Sequence, residues 1–243
     1  MIVKDVIKAI LPNSLHPHNL ARARIIRRSR GKVIAGPFAD QIYITCDEDF
    51  IEPSMLMGVY ENELHPAIEE VLKKPPALFV NVGASQGYYA VGFARRAPRS
   101  RHVAFEIYEP RILQLNRTMA ANSVAVELLG QCTPESLQGI LKDSDDAFIL
   151  VDVEGYEKEL LDPVRVPGLR KTKMIVETHD HIVDGVTDEL TRRFESSHRI
   201  EVVGLGKHTA DDLPFLICDR WTIGQLNEGR PESQKWLIMD PQK

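Results

Sequence analysis

Two carboxylates stand two residues apart in Asp152-Val153-Glu154, and Gly155-Tyr156-Glu157 follows directly. In an extended chain such a pair shares one face. Two carboxylates on one face of a cleft repel each other unless a proton, a cation or a basic partner lies between them. The pair therefore suits an ammonium group, a sulfonium centre, a metal ion or acid–base work. The plainer reading is that Glu154 and Glu157 only favour the start of the next helix. A second group is Glu177-Thr178-His179-Asp180-His181. Histidine titrates close to neutral pH, so His179 with Glu177 or Asp180 is a candidate base for a hydroxyl. Two histidines among acids could equally hold a divalent ion. His181 reads as a loop residue, and His16, His18, His65, His102, His198 and His208 are scattered and receive no role.

Upstream, Leu78-Phe79-Val80-Asn81-Val82 runs into Gly83-Ala84-Ser85-Gln86-Gly87-Tyr88-Tyr89. The apolar run suits a strand buried on both faces. Gly83 and Gly87 allow a sharp turn and a close ligand approach, and the helix after Gly87 aims its N-terminal amides at the turn. Glu106 ends the next strand. An acid roughly 20 residues past such a turn can accept the hydroxyl hydrogens of a ribose. Glu109, just before Pro110, reads as an acid at a helix start. Gln131 and Cys132 end a third strand, where Gln131 could bond the edge of a purine. Cys132 reads as a small packing residue rather than a reactive thiol.

These residues fall at the ends of strands in an alternating pattern. Strand 78–82 precedes helix 88–96, and strand 102–106 precedes helix 110–121. Strand 124–129 precedes helix 134–141, and strand 147–153 precedes helix 156–161. Strand 173–177 precedes helix 186–196. Strand 199–203 and the apolar runs 215–218 and 236–239 complete the series. Such alternation predicts an α/β fold with a doubly wound, mostly parallel sheet, in which ligands bind beyond the carboxyl ends of the strands. Before it, helical spacing covers residues 1–11, and an Arg-rich helix covers 17–29 with an apolar stripe of Leu20, Ile25 and Ile26. A hairpin spans 31–45, an acidic loop holds Asp47, Glu48, Asp49 and Glu52, and a helix covers 66–74. The reading is an N-terminal cap over 1–74 and a main domain over 75–243.

The chain has 243 residues, a net charge of −5 and three cysteines without metal-ligand spacing. The acidic balance disfavours polyanion binding overall, and no aromatic residues interleave with the arginines to stack on bases. No apolar run has the length of a membrane span, and the first residues lack a signal-peptide core. A cytoplasmic location is the expectation.

Taken together, these segments resemble the FkbM-like family of S-adenosylmethionine-dependent class I (Rossmann-like) methyltransferases. The resemblance runs from about Phe79 to Asp180. It rests on the Phe79–Tyr89 turn, on Ala104-Phe105-Glu106, and on Asp152-Val153-Glu154-Gly155-Tyr156-Glu157 followed by Val176-Glu177-Thr178-His179. The chain departs from the family pattern at Asn81, where an aspartate is common, and at Leu150, where a lysine is frequent. Gln131 stands where many class I enzymes have an acid. Ile107-Tyr108 are inserted between Glu106 and Glu109-Pro110, so Glu106 and Glu109 compete for the ribose, with Glu106 preferred.

The resemblance implies a seven-stranded sheet and S-adenosylmethionine as cofactor, with S-adenosylhomocysteine as product. Methyl transfer would go to a hydroxyl of a small-molecule, sugar or secondary-metabolite acceptor. It places Asn81, Gly83, Ala84, Ser85, Gly87 and Tyr88 around the cofactor's amino-acid end. Glu106 is at the ribose, Gln131 and Cys132 are at the adenine, and Asp152 and Glu154 are beside them. Tyr60 and Glu61 are expected to close over the cofactor. His179 is the first choice of base, with Asp152 and Glu177 as the other catalytic candidates, and no metal is expected. An Asn-Pro-Pro-Tyr-type segment is missing after the fourth strand, which disfavours a nucleic-acid acceptor. Homodimerisation is left open. The competing functions are a non-catalytic S-adenosylmethionine-binding protein and an NAD-dependent oxidoreductase. The turn lacks the third glycine expected for the latter.

Overall fold

The computed structural model describes residues 16–44, 53–206, 208–213, 220–226, 229–231 and 233–242. The expected helix over 1–11, the acidic loop at 47–52 and the apolar run 215–218 lie outside them. The chain divides into two compact units: Met1–Asn62 with Lys207–Gly229, and Glu63–Gly206 with Arg230–Lys243. The described residues 208–213, 220–226 and 229 thus group with the N-terminal segment rather than with the sheet.

In the first unit, α1 (Pro17–Ser29) covers the expected span. Its buried stripe is Ala21, Ile25 and Ser29, whereas Leu20 is 45% exposed. The expected hairpin contracts to one antiparallel bridge, Lys32 to Ile42. Around that bridge Val33 N donates to Gln41 O and Asp40 N to Val33 O. The short helix α2 (Pro53–Met57) is buried along its whole length. It carries no polar face, so it serves as core for this unit.

The second unit opens with α3 (His65–Lys73) and continues as a seven-stranded sheet. Its strands are β1 (Leu78–Val82), β2 (Arg101–Phe105), β3 (Glu127–Leu129), β4 (Ala147–Val151), β5 (Lys173–Thr178), β6 (His198–Gly204) and β7 (Lys235–Pro241). The order is β3-β2-β1-β4-β5-β7-β6. Strands β1 to β5 pair in parallel, while β7 runs antiparallel to both β5 and β6. The intervening helices are α4 (Tyr88–Arg96), α5 (Glu109–Asn122), α6 (Pro134–Leu141), α7 (Glu157–Leu160) and α8 (Val186–Phe194). The short α9 (Arg220–Gly224) belongs to the first unit.

Every residue of β1 and β4 is buried, as expected for strands covered on both faces. Val80, Val82, Val103, Ile149, Val151 and Val176 face one core with Leu137, Leu190 and Phe194. On the other face Phe79 stacks on Phe93, with ring centroids 4.1 Å apart, and on Phe148 at 5.5 Å. The chain order reverses direction between β1 and β4. The loops beyond their carboxyl ends therefore border the crevice where ligands bind in such sheets.

Candidate active site

A cavity of about 470 Å³ opens at that crevice. Its lining includes Gly83 and Ser85 after β1, Glu106 to Tyr108 after β2, Gln131 and Cys132 after β3, and Asp152 to Glu154 after β4.

The turn after β1 is built for close passage of backbone. Gly83 adopts φ +79°, and a Cβ there would lie 1.7 Å from Asp152 O. No side chain fits, so the loops after β1 and β4 touch at this point. The turn's amides are already committed. Gly83 N and Ala84 N donate to Phe105 O at 3.0 and 2.9 Å, and Gly87 N donates to Ala84 O at 2.9 Å. Ser85 N donates to Glu106 Oε2 at 2.7 Å. The amides of Gly83, Ala84 and Ser85 are thus engaged by Phe105 and Glu106, while Gly83 and Ser85 also line the cavity. These amides tie β1 to β2, because the turn is so tight that its donors meet the neighbouring strand first. Ala84, Gly87, Tyr88 and Asn81 are buried and are not among the lining residues.

Glu106 is fixed by the backbone. Besides Ser85 N, its carboxylate accepts through Oε1 from Ile107 N and Tyr108 N, each at 2.8 Å. Three amide donors hold the carboxylate at the wall, and Oε2 keeps a lone pair for a ligand hydroxyl. Glu109 stands exposed in the first turn of α5 and is not among the lining residues. Of the two competing acids, only Glu106 faces the cavity.

Gln131 is exposed and Cys132 is buried at the cavity's end. Burial pushes the Cys132 thiol up to about 12, against an opposing hydrogen bond with Ser136. That burial suits a packing role at the cavity wall. Ile107, Tyr108, Arg111 and Tyr156 also line the cavity, and the sequence reading gives them no role. The signal was the Ile107-Tyr108 insertion itself, an apolar and an aromatic residue directly after the key acid.

The acid–histidine group assembles beside this cavity. Asp152 and Glu154 line it, and His179, from the end of β5, lies 1% exposed behind them. His179 Nε2 is 3.5 Å from Asp152 Oδ1 and 3.4 Å from Glu154 Oε2. His179 Nδ1 is 2.5 Å from Oε1 of Glu157, a fully buried residue that also accepts from Gly155 N at 3.1 Å. Glu157 thus does more than start α7: it holds the imidazole.

Electrostatics follow from this crowding. Withdrawal from water pushes Asp152 up to about 6; His179 and Arg230 oppose the rise, while Glu154 and Glu157 add to it. For His179, burial works to lower the pKa. The Glu157 hydrogen bond and the charges of Asp152, Glu157 and Glu154 outweigh burial, so the net direction is upward.

Glu177 does not join this group. It is buried, pairs with Arg230 at 3.1 Å and accepts from Gln234 Nε2. The alternation that put Glu177 and His179 on one side ends with β5 at Thr178, so the two side chains part. Asp180 caps the helix that follows by accepting from Thr187 N at 3.2 Å. Tyr60 and Glu61 belong to the other unit and are not among the lining residues.

The strand order with an antiparallel β7 is that of the class I S-adenosylmethionine-dependent methyltransferases, and this chain has that fold. A structure from Klebsiella pneumoniae, assigned as an O-methyltransferase, is similar at a TM-score of 0.50 and 12% identity, over 98% of this chain and 95% of that one. An O-methyltransferase from Bacillus cereus in complex with S-adenosylhomocysteine follows at 0.49 and 12%, over 98% and 96%. At such identities the likeness extends to the fold alone. No family model matches the chain, and neither does any curated protein. Among the described residues no helix is long and apolar enough to cross a membrane.

Proposed function

We propose that this protein is an S-adenosylmethionine-dependent methyltransferase, FkbM-like in its motifs, that methylates a hydroxyl of a small-molecule or glycan acceptor. The observation that carries the reading is Glu106, a carboxylate held by three backbone amides at the wall of a cavity of about 470 Å³. The volume suits a nucleoside-sized ligand. A fixed acceptor at the end of β2 suits a ribose hydroxyl. Ile107, Tyr108, Gln131 and Cys132 surround the place where an attached adenine would lie. Gly83 lines the cavity, and its missing side chain lets the loop after β4 pass, so the turn contributes wall rather than amide donors.

When bound, the cofactor supplies an electrophilic methyl on a sulfonium. The chain's own residues align and activate the acceptor. Alignment of an in-line nucleophile provides most of the rate. Asp152 and Glu154, backed by His179, present negative charge where a cationic donor and an acceptor hydroxyl meet. In this reading Glu177 serves stability rather than chemistry.

Calorimetric titration of the full chain with S-adenosylmethionine, S-adenosylhomocysteine and NAD tests the proposal. Saturable binding of both S-adenosyl ligands, without NAD, is the expected result. NAD binding with neither S-adenosyl ligand overturns it. Cofactor binding with no methyl transfer across a broad panel of hydroxylated acceptors would move the protein to a binding role.

A further inference from the structure

Three side chains of metal-ligating type converge at the edge of the cavity. Asp152 and Glu154 follow β4 and His179 ends β5, and one atom from each lies within 4.8 Å of the others. His179 is 1% exposed, and its Nδ1 is engaged at 2.5 Å by Glu157 Oε1. A carboxylate accepts, so the neutral ring carries its proton on Nδ1 and presents a lone pair at Nε2. That lone pair faces Asp152 Oδ1 at 3.5 Å and Glu154 Oε2 at 3.4 Å. Asp152 Oδ1 is buried and has no hydrogen-bond partner among the described residues. Three acceptors turned on one another require a positive centre among them. A proton on Nε2 would leave its partners beyond normal hydrogen-bond length. A cation matches these two distances: ligands about 2.1 Å from a tetrahedral ion stand about 3.4 Å apart.

We propose that Asp152, Glu154 and His179 bind one divalent cation of the Mn²⁺ or Zn²⁺ type, with Glu157 as the outer carboxylate that fixes the His179 tautomer. Carboxylates suit Mn²⁺ and imidazole suits Zn²⁺, and the site mixes the two. The buried Glu157 behind the ring is the second partner that metal-bound histidines ordinarily have. Asp152 and Glu154 also line the cavity, so an ion held by them would border it. A hydroxyl coordinated there is polarised and becomes more acidic, as metal-bound water does. That use of the ion rests on the methyl-transfer reading; the ion site itself does not. It replaces the expectation of a metal-free centre.

The test uses the full chain, stripped with a chelator, dialysed, and titrated with Mn²⁺ and with Zn²⁺ by calorimetry, with Mn²⁺ resonance spectra as a second readout. One ion per chain is expected. Asp152→Asn and Glu154→Gln should each weaken it at least 100-fold, and Glu157→Gln should weaken it about 10–100-fold. Circular-dichroism melting confirms that each variant is folded. No saturable binding of either ion by the wild-type chain overturns the proposal, as does wild-type ion affinity in both folded ligand variants. S-adenosylhomocysteine is titrated into the same samples. Its binding without any ion binding sinks the ion site and leaves the methyl-transfer reading standing. Ion binding without it supports the ion site and sinks that reading.

Discussion

Glu106 sets the residue-scale expectation. Its carboxylate takes three amide hydrogens, so its position does not depend on a ligand. A ligand hydroxyl then meets a charged acceptor that is already oriented, worth about 1.5–3 kcal/mol. Glu106→Gln keeps the size and part of the hydrogen bonding and removes the charge. It should weaken S-adenosylhomocysteine binding by that amount in calorimetry, and unchanged affinity would return the ribose to Glu109. This acid was legible because it closes the apolar strand that comes next after the Gly83–Gly87 turn and its helix. The carboxylate pair and His179 were legible for the same reason: strand ends are where sequence can place chemistry. The role of Glu157 was hidden. Nothing in its spacing says that its side chain turns back to an imidazole 22 residues later. Asn81 poses a different problem. Both of its side-chain polar atoms are buried in β1 without a partner among the described residues, a cost that the strand carries through its apolar neighbours.

At the scale of elements, β5 and β7 explain why the sequence misplaces Glu177. Read alone, Glu177-Thr178-His179 looks like one catalytic strand end. Its partners come from the far end of the chain: Arg230 at 3.1 Å, then Gln234, with the Arg230 guanidinium 5.7 Å from the centre of the Trp236 ring. Trp236 is also the residue opposite Glu177 in the β5–β7 ladder. This cluster secures the last strand to the sheet. Removing one member of a buried ion pair costs about 3 kcal/mol or more, because the other charge is left in place. Glu177→Gln should lower the urea midpoint accordingly and leave S-adenosylhomocysteine affinity within about twofold. Lost turnover at unchanged stability would restore a catalytic role. Such long-range pairing is invisible to local pattern. The same holds for the hairpin, where suitable residues on both sides of a turn gave a single bridge.

At the scale of the whole molecule, strand–helix alternation revealed the sheet but not its order. Trp236-Leu237-Ile238-Met239 reads as a strand in either direction, so the antiparallel insertion of β7 could not be foreseen. Two histidines of the sheet link its stability to pH. Burial lowers the pKa of His102 and of His198; hydrogen bonds to Ala97 O and Thr172 O oppose that shift without cancelling it. Both rings are neutral in the fold above the ordinary histidine value. As pH falls below about 6.5, the unfolded chain binds protons that the folded one resists, and stability is lost. The urea midpoint should therefore drop from pH 7.5 to 5.5 more in the wild-type chain than in a folded His102→Gln, His198→Gln double variant. An identical drop in the two would remove these histidines from the account. The place of β7 also bears on how the chain matures during synthesis. Strand β6 pairs with β7 alone, yet β6 ends at Gly204 and β7 begins only at Lys235. At about 5–20 residues per second, the ribosome leaves β6 unpaired and β5 an open edge for roughly 2–6 s. During that interval a nascent chain exposes two strand edges to its neighbours and to chaperones, until the arriving β7 fills the gap between them.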